Sequence, residues 1–361
     1  MKKLFTLFLV VVSLSAAPAL AAAKKTVPPT KPAWKAVAPA GYSPISWASA
    51  PGIASFFKPP ADNGAIDFLT RINLRQNLVN FIISPDAAPT VQMPTAPETT
   101  SGTTTAGDIT AYPNLSFKRL GAETSKAIDP AIKFIWDAPF FNMGAVMSDL
   151  SMAVKYTAGG KTVVSAGTRS ASDMALPRRM LIVNNQTGKA TIADFNETVF
   201  TDPGSGDLAL EGFSPAVVKT DGPGAAASRL FLGISTDGQE LSVYCSQSAT
   251  VNEANDALVA AGVAPNNILE ADGGGSAACG YNLPGQFFVE PTRTLPLLMG
   301  VKNILKRGKI TSTTANVRSG PGTKYPIVSK LVKDDTVTAL GELSGWYRVG
   351  DGQWVIKTLI K

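Results

Sequence analysis

The chain has 361 residues, of which 45% are hydrophobic, enough for a real core and too many for wholesale disorder. It contains no histidine, which excludes Ser-His-Asp and Cys-His catalysis and every imidazole zinc site. Acid–base work therefore falls to Asp, Glu, Lys, Tyr or Arg-tuned groups. The formal net charge of +6 is unevenly spread. Residues 24–61 hold five lysines (Lys24, Lys25, Lys31, Lys35, Lys58) and no acid, and residues 309–361 hold eight basic and four acidic side chains. A mildly acidic centre thus lies between basic ends. Such ends favour solubility or contact with an anionic polymer. Nucleic acid is not an expected partner, because basic and aromatic residues are not interleaved.

Taken in chain order, Lys2 and Lys3 precede the apolar run Leu4–Leu14 and then the small residues Ala19-Leu20-Ala21 and Ala21-Ala22-Ala23. The pattern predicts a signal peptide over residues 1–23, hence a periplasmic or secreted product with no later membrane span. Residues 24–60 are rich in Pro and Ala without periodicity and read as a basic linker or an extended arm. Compact structure is expected from about residue 61, with strands at 65–72 and 78–83. A polar low-complexity loop is expected at 94–107 and a short helix at 117–128.

A strand-rich stretch follows. Met152–Thr157, a Gly159-Gly160 turn and Thr162–Ser165 give a hairpin signal, and strands are expected at 180–183, 190–193, 230–234 and 241–244. Residues 250–261 form the best helix pattern, with Thr250 as N-cap and Gly262 as C-terminal stop. A strand at 267–271 then completes a βαβ unit, so part of the sheet is expected to be parallel. The fold class expected is α+β or α/β, a mixed twisted sheet with helices over residues 61–305, followed by a small β-barrel at 309–361.

Cys245 and Cys279 are the only cysteines. In an exported chain they predict one disulfide, two separate buried thiols being the alternative. Between them lies Glu270-Ala271-Asp272-Gly273-Gly274-Gly275-Ser276. Glu270 and Asp272 stand two apart on a strand, so both carboxylates are expected on one side. The three glycines let the backbone turn and present consecutive N–H groups, and Ser276 adds a hydroxyl, together an anion cradle. A tight turn with a structural Asp is the plainer alternative.

The last fifty residues carry several motifs in order: Asn316-Val317-Arg318-Ser319-Gly320-Pro321-Gly322, Tyr325-Pro326, Gly345-Trp346-Tyr347-Arg348-Val349 and Gly352-Gln353-Trp354-Val355. Asp351-Gly352 is a two-residue hairpin signal. This stretch resembles the bacterial SH3 family. The resemblance implies a non-catalytic module that binds peptidoglycan or peptide, with Tyr325, Trp346 and Trp354 as candidate groove residues.

The DGGGS segment and its surroundings resemble the phosphodiester glycosidase family over roughly residues 64–303. Arg229-Leu230-Phe231-Leu232-Gly233-Ile234 matches the family's Arg-containing strand, and Arg293-Thr294-Leu295-Pro296 its Arg-x-x-Pro stretch. Asp137-Ala138-Pro139-Phe140-Phe141-Asn142 stands where the family carries Asn-Gly before two phenylalanines, and Glu270-Ala271 where it carries Asn-Leu. The resemblance implies hydrolysis of a sugar-1-phosphodiester, without a cofactor although a divalent cation is conceivable. Its site would comprise Asp272, Glu270, Asp137 and Arg229 as catalytic groups. Gly273, Gly274, Gly275, Ser276, Arg293, Phe141 and Asn142 would bind the sugar phosphate or envelope polysaccharide. The added carboxylates would repel a phosphodiester unless Arg229 or Arg293 neutralises them. A carbohydrate- or wall-binding protein that kept the fold and lost the chemistry is the alternative.

Overall fold

The computed structural model describes residues 34–361 apart from 61–64, 84–108, 110–111, 113, 122–123, 125, 130, 143–146, 159–160, 169–174, 203, 216–224, 284–285 and 351. The expected signal peptide, the 94–107 loop, the Gly159-Gly160 turn and Asp351 lie outside these residues.

Two sheets close over one core. The larger has 11 strands, and its main path runs Ser43–Ala50, Ile53–Lys58, Asp67–Asn73, Glu240–Ala249, Ala227–Ile234, Ile268–Gly273, Leu208–Phe213, Arg178–Asn184, Lys189–Asp194. The hairpin Val154–Ala158 and Lys161–Ser165 joins it through Leu208–Phe213. The second sheet runs Phe287–Val289, Cys279–Tyr281, Ile132–Asp137, Leu298–Asn303, Asn77–Ile82. Leu230, Leu232, Val243 and Leu269 from the first sheet pack with Phe134, Trp136, Met299 and Val301 from the second. Burying such side chains contributes roughly 1.5–3 kcal/mol each relative to exposure.

The α+β or α/β expectation is overturned. Among the described residues there are two α-helices, Glu197–Thr201 and Val251–Ala260, and every registered strand pairing is antiparallel. The helix Val251–Ala260 forms where the sequence places it. Thr250 Oγ1 accepts from Glu253 N (3.1 Å), Glu253 accepts from Thr250 N (2.7 Å), and Gly262 turns the chain at φ +89°. Its apolar side, Val251, Ala254 and Leu258, packs on Leu69, Phe231 and Tyr244. The strands it connects are not neighbours, however. Ala227–Ile234 lies between them and pairs antiparallel with both, so no parallel ladder forms.

Residues 43–58, read as linker or arm, contribute the edge strand Ser43–Ala50 and its neighbour Ile53–Lys58, which pairs on with Asp67–Asn73. The helix expected at 117–128 opens instead as the strand Ser116–Lys118, paired with Met147–Asp149. No helix among the described residues is long and apolar enough to cross a membrane.

Residues 314–356 form a five-stranded sheet around their own core of Ile310, Val317, Tyr347, Val355 and Ile360. Arg307, in the strand Lys306–Lys309, ties this module to the larger body. Its guanidinium donates to the carbonyls of Asn185 (2.9 Å), Leu74 (2.8 Å), Asn77 (3.2 Å) and Arg75.

Candidate active site

The strand Ile268–Gly273 does not keep simple alternation. Against Ala227–Ile234, Glu270 faces Phe231 while Asp272 faces Leu230, so the register shifts by one residue between them. Directly opposed residues share a face, and Phe231 and Leu230 lie on opposite faces, each in a different core. This bulge sends Glu270 to the helix side and Asp272 to the side of the second sheet, which corrects the expectation that both carboxylates point one way.

On the helix side, Glu270 forms a buried ion pair with Arg229 at 3.2 Å, with side-chain exposures of 0% and 3%. Arg229 also donates to the carbonyls of Ala249 (3.2 Å) and Ala225 (3.1 Å). Its donors are committed to protein acceptors. The expected neutralisation by Arg229 is therefore real, but it serves Glu270 and not the face of Asp272.

On the other face, Asp272 meets Asp137. Asp137 ends the strand Ile132–Asp137, opposite Leu298, and its amide donates to Ala278 O at 2.9 Å. The two carboxyl groups lie within hydrogen-bond reach of each other. Asp272 Oδ1 accepts from Gly273 N (2.6 Å), but Asp272 Oδ2 and both Asp137 oxygens are buried without a well-formed hydrogen bond from any donor of the described chain. Such a contact between carboxyls is satisfied by a shared proton. The Asp137 carboxyl is raised well above its usual range, first by burial and then by the neighbouring Asp272 charge; the Ala138 amide and Arg293 oppose this without cancelling it.

The glycines lie beside this pair. Gly273 ends the strand, and Gly274–Ser276 forms a 3-10 turn whose opening amides it cannot satisfy internally. Gly274 has φ +71°, and a Cβ there would meet nothing within 4 Å, so its outer side is open. A Cβ on Gly275 would stand 2.6 Å from the Arg293 guanidinium and 2.5 Å from Thr292 Oγ1, so only glycine lets that segment close on the turn. Thr292 N and Oγ1 both donate to Gly275 O, at 2.9 and 3.2 Å. Arg293 is exposed, with no side-chain ion pair or hydrogen bond among the described residues. Ser276 is buried and its Oγ reaches Gly273 O at 3.5 Å.

Phe141 and Asn142 are placed structurally. Phe141 packs against the core beside Leu295 and Leu298. Asn142 accepts from Ser151 and donates through its amide to Asp149 O (2.9 Å) and through its side chain to Thr168 (2.5 Å). Thr292 is the neighbour sequence reasoning missed; its place beside Arg293 was the only available signal.

Cys245 and Cys279 form a disulfide joining the two sheets. In the C-terminal module, Trp346 is buried at 9% exposure, while Trp354 is half-buried and shares a face with Arg348 and Arg318. Tyr325 lies against Gly320, and its carbonyl accepts from Arg318 at 2.7 Å. A cleft of about 790 Å³ opens between the module and the larger body, away from Asp137 and Asp272. Among the described residues no group of three or more His, Cys, Asp or Glu is arranged to hold a metal ion.

Residues 313–361 match the bacterial SH3 domain family. No curated protein sequence matches the chain. Among solved structures, the zebrafish N-acetylglucosamine-1-phosphodiester α-N-acetylglucosaminidase catalytic domain, auto-inhibited by its pro-peptide, superposes with TM-score 0.43 at 12% identity. That superposition covers 71% of this chain and 85% of the other. A hypothetical protein from Synechocystis superposes with TM-score 0.37 at 12% identity, over 72% of this chain and 63% of the other. The family match thus covers the C-terminal 49 residues, a bacterial SH3 domain.

Proposed function

We propose that the chain is an exported envelope hydrolase that cleaves sugar-1-phosphodiesters, held at the cell wall by its SH3 module. The carrying observation is the buried Asp137–Asp272 pair beside an open glycine turn and an uncommitted Arg293. The sequence resemblance of the DGGGS segment selects the substrate class.

Two carboxyls in hydrogen-bond reach are far closer than the roughly 5–10 Å that separates acid and nucleophile on opposite sides of a glycosidic bond. Asp137 and Asp272 therefore act together at one side. The ionised partner takes a proton from water as that water's oxygen bonds the anomeric carbon. The C1–O bond breaks, its electron pair stays with the phosphate, and the freed phosphomonoester leaves. Phosphate needs little help from a general acid. Arg293 and the turn amides face its charge, where such support is worth most in a water-poor site.

The test is release of N-acetylglucosamine from an N-acetylglucosamine-1-phosphodiester. Asp272→Asn and Asp137→Asn should each reduce turnover by roughly a hundredfold or more, and Arg293→Gln should reduce it while raising KM. The commitment of Arg229 to Glu270 favours a second reading, a binding protein that has lost the chemistry. Folded wild type that binds such diesters without turning them over would establish it.

A further inference from the structure

We propose that the cleft between the second sheet and the SH3 module is a peptide-binding site, with Arg348 receiving a peptide carboxylate. One wall is built by Phe81, Ile82 and Ile83 near the end of the strand Asn77–Ile82, and the other by Val317, Val337 and Val349 of the module. The ligand would therefore be held by both parts of the chain. The cleft is pre-formed, because Arg307 fixes the module through four backbone carbonyls. Leu305 N also donates to Ala339 O (2.7 Å), and Ile304 N to Gln76 O (2.9 Å).

The chemistry of the walls selects the ligand. Lys302 and Asp129 neutralise each other at 3.0 Å, and Asp207 accepts from the Asn185 amide at 2.6 Å. Arg348 is half-buried and lines the same cleft, yet its side chain has no ion pair or hydrogen bond among the described residues. Unlike Lys302, it is a lining cation without a carboxylate partner, and it fits an anion. Between the aliphatic patches stand the amides and hydroxyls of Asn80, Gln186, Thr338 and Gln353, suited to the alternating donors and acceptors of an extended peptide. A glycan would call for an open aromatic face, whereas Phe81 and Tyr156 meet edge-on, 5.6 Å between centroids. Arg348 lies opposite Trp354 in the module's sheet, so the cleft extends the face expected to bind ligand.

The site is separate from the carboxyl pair, so the test does not depend on hydrolysis. The probe is a mixed acetyl-tripeptide pool with free C-terminal carboxylates, titrated at millimolar total concentration into the full chain with isotope-labelled methyl groups. Expected are shifts confined to the methyls of Ile82, Ile83, Val337 and Val349, at least tenfold weaker with the C-amidated pool and with Arg348→Gln. Thr338→Trp, which fills the cleft, should abolish them, and Asp272→Asn should leave them intact. Absence of shifts in folded wild type, or equal response to the amidated pool, overturns the proposal. So does binding that survives both Arg348→Gln and Thr338→Trp, or that moves only signals around Tyr325 and Trp346.

Discussion

The Asp137–Asp272 contact makes a prediction that needs no substrate. Asp137 holds its proton well above the ordinary value of 3.8, chiefly because it is buried and next to Asp272. Below that value, folded and unfolded chains both keep the proton. Above it the unfolded chain releases the proton while folded Asp137 retains it, so stability falls as pH rises through the window up to the folded value. The slope reaches about 1.4 kcal/mol per pH unit for one retained proton. Asp137→Asn keeps the shape, and its amide can donate to Asp272 Oδ2, so the variant should lack this slope. Its stability relative to wild type should grow as pH rises above the ordinary value of 3.8, by about 1.4 kcal/mol per unit over the range in which folded Asp137 keeps its proton. Urea unfolding at four pH values for both proteins measures the difference, and the comparison cancels opposite slopes such as that of Asp237, whose pKa hydrogen bonds from Ser235 and Gln239 lower. Parallel curves for wild type and variant would refute the shared-proton reading.

Glu270→Gln should cost roughly 3 kcal/mol or more, because it strands the buried Arg229 charge, and the double change Glu270→Gln/Arg229→Met should recover part of that loss in the same unfolding assay. Arg307→Gln should remove charge-assisted bonds to the carbonyls of Leu74, Asn77 and Asn185, lowering stability by roughly 2–4 kcal/mol. Calorimetry should then show the module melting separately. Replacing both Cys245 and Cys279 by Ala opens a loop of 34 residues and should cost about 4 kcal/mol on loop-entropy grounds, read as a lower urea midpoint.

What the sequence made legible follows from how local each signal is. The N-cap Thr250, the stop at Gly262 and the motifs of the C-terminal module are each written within a few residues; the helix Val251–Ala260 forms within the expected 250–261, and residues 313–361 match the bacterial SH3 domain family. The disulfide followed from parity and an expected oxidising compartment. Leu208–Phe213 is buried at all six positions, so it shows no alternation by which to recognise it, and Ile132–Asp137 is nearly as buried. The parallel sheet failed for a topological reason: nothing in the strand–helix–strand order reveals that Ala227–Ile234, earlier in the chain, will insert between its strands. Asp272 and Asp137 were both singled out, yet their meeting depends on a bulge between Leu230 and Phe231 that only the partner strand defines.

That bulge also bears on whether acidic residues at these positions are compatible with a phosphodiester. Glu270 and Asp272 on one face, joined by Asp137, would oppose an anion with three carboxylates. Their actual division changes the charge count. Glu270 lies on the helix side and is balanced by Arg229. On the site face, Asp137 and Asp272 share one proton and present a single negative charge, which Arg293 partly offsets. One net negative unit beside a guanidinium is the charge state a general base requires. An Asn at position 270 would leave Arg229 without its carboxylate, so the acid there is a partner of Arg229 and no barrier to substrate. If this reasoning holds, Glu270→Gln should lower stability far more than it changes KM for a phosphodiester, whereas Arg293→Gln should do the reverse. A large fall in KM on Glu270→Gln, with stability unchanged, would instead place that carboxylate in the substrate's field.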